Sequence, residues 1–326
     1  MTSPKTPEKK LASLQQWNDR RAILGSLAWL VLLFWEIPSE PFRPIIKLFL
    51  LAPWVMVPLG IRLAAQLGPE EKILSFYRFG SLLQPFAALF ASLSFLLPPG
   101  IQGGLLTIPW LFFTLLMALW GGLRIFRGGL SSAPQTCFSA GLILLSIGGT
   151  GLALSRFGLQ PFGFQEPIVL LVAVHFHFTA FVAPILAGAA GCFIESEWPA
   201  ARCPFFIVAL GVIATPLLIA LGFIFSPLLK IVSVLILAAS LCLLAVLQAF
   251  LLRKLSPWPA KLFLALSSAS IFAGMILAVI YAWGELRGEV LVSIPEMAKT
   301  HGILNSLGFS LCGLLAWRIA RRKEAP

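Results

Sequence analysis

Apolar stretches of about 20 residues recur along the whole chain, and they leave the lipid bilayer as the only solvent for most of it. A helix rises about 1.5 Å per residue and the hydrocarbon core is about 30 Å thick, so a crossing needs roughly 20 apolar residues. Runs of this kind cover 45–61, 76–97, 103–126, 134–155, 167–194, 204–226, 228–252, 260–284 and 294–317, and a shorter one covers 22–35. Backbone polar groups in lipid must bond within their own segment, which makes each run a helix. The expected fold is therefore all-α, a polytopic bundle of about ten spans. Charged residues make up only 11% of the chain and hydrophobic ones 59%, with a mean hydropathy of +0.93; a soluble domain averages about 25% charged.

Charge placement sets the expected topology. With the N-terminus inside, 18 of the 24 Lys and Arg fall in cytoplasmic segments and six outside: Arg43, Lys47, Arg156, Lys230, Arg287 and Lys299. Omitting the short first run makes the two sides nearly equal, so the positive-inside rule favours ten spans with both termini cytoplasmic. This divides the chain into a polar tail at 1–21, a helical bundle at 22–319 and a basic tail at 320–326. The first run lacks a small-residue cleavage site and reads as an uncleaved span. The net charge of +11 is spread between apolar runs rather than gathered on one domain, which suits anionic lipid and excludes nucleic acid as a partner. Cys137, Cys192, Cys203, Cys242 and Cys312 are odd in number and lack C-x-x-C spacing, so they read as buried thiols.

Ionisable groups inside a bilayer are costly and usually have a task. All three histidines lie in predicted spans. Pro167 suits the first turn of the sixth helix, with Glu166 at the positive end of its dipole. Ser293 and Glu296 form a predicted capping box opening the tenth. His175 and His301 each lie eight residues beyond these starts, roughly 12 Å into the membrane from the outer side. Residues two apart point about 200° apart on a helix, so only one of His175 and His177 can face a given site. His175 shares a face with Thr179, and His301 with Asn305, at i, i+4 spacing. These five residues are the candidate site, and His175 or His177 with His301 is the candidate pair for a metal or an axially held haem. Glu36, Glu166, Glu296 and Gln84 are secondary candidates. The carboxylates lie near interfaces, and Gln84 precedes Pro85 mid-span, where it suits an interhelical hydrogen bond. Gly121-Gly122, Gly148-Gly149 and Gly188 with Gly191 permit close helix contact, and the ten Trp read as interface belts and packing.

The segments His175-Phe176-His177-Phe178 with Phe181, and His301-Gly302-Ile303-Leu304-Asn305 with Gly308-Phe309, resemble the YndJ-like family of bacterial integral membrane proteins. Phe178 stands where Tyr is expected in that pattern and Ser306 where Ala is. The resemblance implies a polytopic protein of the bacterial cytoplasmic membrane and brings no reaction with it. Three functional classes stay open on the residues alone: a ligand, metal or haem site, with or without enzyme chemistry; a proton-coupled transporter using a histidine; and a scaffold without a small ligand. Self-association into a homo-oligomer is compatible with each.

Overall fold

The computed structural model describes residues 7–34, 42–65, 71–130 and 132–321. It is helical throughout, with no strand among the described residues. Ten long helices follow one another: α1 (Pro7–Phe34), α2 (Arg43–Ala64), α3 (Glu71–Leu93), α4 (Ile101–Gly128), α5 (Ala133–Phe157), α6 (Ile168–Glu197), α7 (Arg202–Phe225), α8 (Pro227–Leu251), α9 (Trp258–Arg287) and α10 (Ile294–Ala320). Among the described residues nine helices are long and apolar enough to cross a membrane. The protein is a polytopic helical bundle.

Helix α1, 28 residues long, is not one of these nine because its first half is polar, yet it lies along α2 from one end to the other. Near one end the Arg62 guanidinium meets the Asp19 carboxylate at 2.9 Å. Near the other, Trp29 Nε1 donates to Lys47 O at 2.8 Å and Lys47 Nζ donates to Leu33 O at 2.5 Å. Residues 19 and 33 are about 21 Å apart along a helix, a large part of the bilayer core. The first helix also begins at Pro7, so residue 21 does not mark its start; polar and apolar parts form one rod. Reporter fusions after Arg287, in the α9–α10 connection, and at the C-terminus are expected to report opposite sides of the membrane. Equal sidedness would refute the topology.

The chain divides into two compact units, residues 1–129 with 142–177, and residues 130–141 with 178–326. In the first, glycines set the helix spacing. A Cβ at Gly149 of α5 would lie 2.1 Å from Thr114 Oγ1 of α4, and one at Gly25 of α1 would lie 2.1 Å from Trp54 O of α2. Arg156, 2% exposed, donates from Nη2 to Ser94 O and Leu97 O, tying the turn after α3 to the end of α5. Main-chain carbonyls thus supply acceptors for the buried guanidinium. In the second unit, Gly191 performs the same spacing role against Phe205, at 2.2 Å, and Gly188 against Phe138. Gly122 departs from expectation, since a Cβ there would meet nothing within 4 Å.

Three helices contain π-helical stretches: Ala52–Met56 in α2, Phe178–Val182 in α6 and Leu304–Leu311 in α10. The first two lie just before Pro58 and Pro184, whose rings would clash with the carbonyl four residues earlier in a regular α-helix. The widened turn relieves that clash. In α10 the described proline, Pro295, lies in the first turn, well before the π stretch, where Ser306, Gly308 and Ser310, with Gly313 beyond them, give a small-residue surface instead.

The cysteines correct one expectation. Cys137 is buried, but Cys203 is exposed and Cys192, Cys242 and Cys312 are partly so, and among the described residues no disulfide forms. An outward thiol on a lipid-facing helix meets a solvent as apolar as the core, so burial is not required of it.

Candidate functional site

The two starts that position the histidines form as the sequence predicts. Glu166 Oε2 accepts from Leu170 N at 3.1 Å at the opening of α6. Ser293 and Glu296 close a reciprocal capping box, with Glu296 Oε2 accepting from Ser293 N at 2.8 Å. Both carboxylates therefore have structural work at helix starts. Gln84 is buried, and its Nε2 donates to Pro53 O at 2.5 Å within the π turn of α2, which is the interhelical role expected of it. Glu36 lies outside the described residues.

His175 and His177 point apart. The His175 ring is exposed on the helix surface, with Nδ1 at 2.7 Å from Leu171 O. His177 is 0% exposed and packs inside the first unit. Its Nδ1 donates to Ala173 O at 2.7 Å, and its Nε2 accepts from Trp110 Nε1 at 3.1 Å. Trp110 stacks on the imidazole at 19° and 5.7 Å, and Phe49 meets it edge-on at 5.2 Å. A Cβ at Gly148 would lie 2.6 Å from Nδ1, so glycine makes room for the ring. The buried member of the pair is thus a neutral packing element with both nitrogens engaged. Trp110 escapes sequence reading because it looks like one more aromatic. The available signal is its place well inside α4, away from either interface, where an indole N–H needs an acceptor.

His301 belongs to the second unit and stands where α10 changes character, directly after Thr300 (φ −111°, ψ −78°) and before the π stretch. Its Nδ1 donates to Gly274 O of α9 at 2.8 Å, and its Nε2 accepts from Asn305 Nδ2 at 2.8 Å. The expected His301–Asn305 face is therefore formed. Gly274 permits it, since a Cβ there would lie 2.3 Å from Asn305 Oδ1. That oxygen is itself buried with no hydrogen-bond partner among the described residues.

The same helix pair carries further polar groups that sequence reading passed over. Ser267 Oγ donates to Phe309 O at 2.8 Å, and Ser270 lies against Gly308. Ser268 donates to Gln248 Oε1 of α8 at 3.3 Å. Ser306 and Ser310, 2% and 1% exposed, have hydroxyl oxygens with no hydrogen-bond partner among the described residues. The visible signal is the run of Ser267, Ser268, Ser270 and Gly274 within an apolar span. Thr179 lies in the π turn of α6, and within this unit that turn packs against the π stretch of α10. Among the described residues no group of three or more His, Cys, Asp or Glu is placed to hold a metal ion.

Comparison with known proteins places this architecture. The sequence model described as YndJ-like protein matches residues 47–309, from α2 into the π stretch of α10. The chain belongs to the YndJ-like family. A curated relative from Bacillus subtilis (strain 168), named "Uncharacterized membrane protein YndJ", is 33% identical over 241 residues, which cover 73% of this chain and 42% of that protein. The chain thus spans less than half the length of that YndJ relative. No solved structure matches. Both His175-Phe176-His177 and His301 with Asn305 lie inside the family match.

Proposed function

We propose that this YndJ-like protein is a proton-coupled membrane transporter of the bacterial cytoplasmic membrane, with His301 as its proton carrier. The observation that carries the reading is the His301–Asn305 pair. In the neutral state the imidazole donates from Nδ1 to Gly274 O and accepts at Nε2 from the Asn305 amide nitrogen. An amide presents a donor on one side and an acceptor on the other. A half-turn of Asn305 therefore aims Oδ1, which has no other partner, at a protonated Nε2. The pair can hold hydrogen bonds in both charge states, which a proton carrier requires and a purely structural contact does not. Histidine is suited to the task because small environmental changes move its titration across physiological pH.

The metal and haem readings gain less from the geometry. An axial ligand needs a free nitrogen lone pair, whereas His177 has both nitrogens engaged in the first unit and His301 would have to give up its bond from Asn305. The arrangement also lacks the nucleophile and adjacent base of a covalent catalyst.

The test is complementation of a chromosomal deletion in cells matched for membrane protein level. His301→Gln keeps an amide that can hydrogen-bond but cannot carry a proton, and it is expected to abolish the pH-dependent phenotype while the protein still inserts, because insertion follows summed apolar length. Wild-type behaviour of His301→Gln would refute the proton-carrier reading.

A further inference from the structure

The second unit contains a set of oxygen atoms that the proton carrier does not use. Ser306 Oγ and Ser310 Oγ are buried in the π stretch of α10 without a hydrogen-bond partner among the described residues. Serine inside a helix normally returns its hydroxyl to the carbonyl three or four residues back, as Ser240 does to Ile236 O and Ser233 to Leu229 O in α8. In α10 the widened turns remove that acceptor from reach. Ser306 and Ser310 are four residues apart and so stand on nearly the same face of the helix. The neighbouring turn of α6 is also π-helical and carries the half-buried Thr179.

Burying a hydroxyl without a partner is unfavourable, and α10 does so twice within the π stretch that packs against the π turn of α6. A π stretch adds to the oxygen supply, since where it returns to α-helix one carbonyl lacks a donor of its own. In α2 the corresponding carbonyl, Pro53 O, takes a side-chain donor from Gln84. In α10 Phe309 O, which the Cys312 N–H also reaches, takes a further donor from Ser267.

Resting on the transporter reading above, we infer that the paired π turns of α6 and α10 bind a monovalent alkali cation through the hydroxyl oxygens of Ser306, Ser310 and Thr179 and main-chain carbonyls, and that this cation is the solute exchanged against the proton on His301. The donors are hard, neutral oxygens, the class that replaces the hydration shell of an alkali ion. A divalent ion is a poor fit, because it is reluctant to lose its water and is held by carboxylates. Soft transition metals prefer thiolate and imidazole. His301 precedes Ser306 by five residues on the same helix, so its protonation places a positive charge beside the cation. At such a separation inside a protein, that repulsion weakens cation binding by roughly tenfold or more.

Thermal unfolding of the purified full chain is to be compared in sodium chloride, potassium chloride and choline chloride at equal ionic strength. Sodium or potassium is expected to raise the midpoint above that in choline, since a ligand bound only to the folded state stabilises it. The double variant Ser306→Ala/Ser310→Ala removes two unpartnered hydroxyls, so it should be at least as stable as wild type in choline and lose the alkali increment. Equilibrium binding of radioactive sodium or rubidium reads the same site without heating. Equal midpoints in all three salts with no isotope bound, or a full increment in the double variant, would overturn the inference. The increment in wild type should also shrink on acidification and become pH-independent in His301→Gln. An increment in wild type that ignores pH would refute the role of His301 and leave the cation site standing.

Discussion

His177→Ala is expected to destabilise the first unit by about 3–5 kcal/mol, and His175→Ala, two residues away, to change stability by no more than about 0.5 kcal/mol. The imidazole of His177 is fully enclosed between Trp110 and Phe49. Its removal leaves a ring-sized cavity, which is the dominant cost. It also orphans the Trp110 indole N–H, which has His177 Nε2 as its acceptor, adding part of the 1–3 kcal/mol typical of a buried unsatisfied donor. Interhelical hydrogen bonds in membranes average only about 0.6 kcal/mol, so Trp110→Phe, which keeps most of the packing, should cost far less than His177→Ala. His175 sits on the helix surface, where its Nδ1 bonds to Leu171 O of its own helix. Equilibrium unfolding in detergent micelles checks the series. Similar losses for His175→Ala and His177→Ala would contradict the packing described.

That contrast separates what the sequence carries from what it does not. Residues two apart must diverge on a helix, so the divergence of His175 and His177 is legible from spacing alone. Which of the two turns inward is not, because it depends on Trp110, Phe49 and Gly148, all remote in sequence. The helix starts are local, and so Glu166 and the Ser293–Glu296 capping box are read correctly from a few consecutive residues. The π turns of α2 and α6 lie just before Pro58 and Pro184, yet Pro85 in α3 and Pro216 in α7 stand within ordinary α-helix, so a proline alone does not announce such a turn. The π stretch of α10 has no proline to announce it. Its consequence, the unpartnered hydroxyls of Ser306 and Ser310, becomes visible only when the turn has widened. Likewise His301 with Asn305 follows from i, i+4 spacing, whereas Gly274 as third member belongs to tertiary packing of α9 on α10.

Gly274 gives the other large expected effect, and it falls on function rather than on folding. A methyl group added at Gly274 would lie 2.3 Å from Asn305 Oδ1 and 3.2 Å from its Cγ, so Asn305 must move. The obstructing atom is the end of a flexible side chain, and the surroundings can yield for about 1–2 kcal/mol, the usual range for a modest overpacking change. The displaced amide can no longer reach Nε2 of His301 in either orientation, so the imidazole loses the partner that serves both its charge states. Gly274→Ala is therefore expected to reduce the pH-dependent activity tenfold or more, comparably to His301→Gln, in protein that still inserts and folds. Gly274→Ala/Asn305→Ala relieves the clash and should recover the stability of the parent without recovering activity. Activity restored together with stability would show that the glycine acts only as a spacer, and that Asn305 takes no part in carrying the proton.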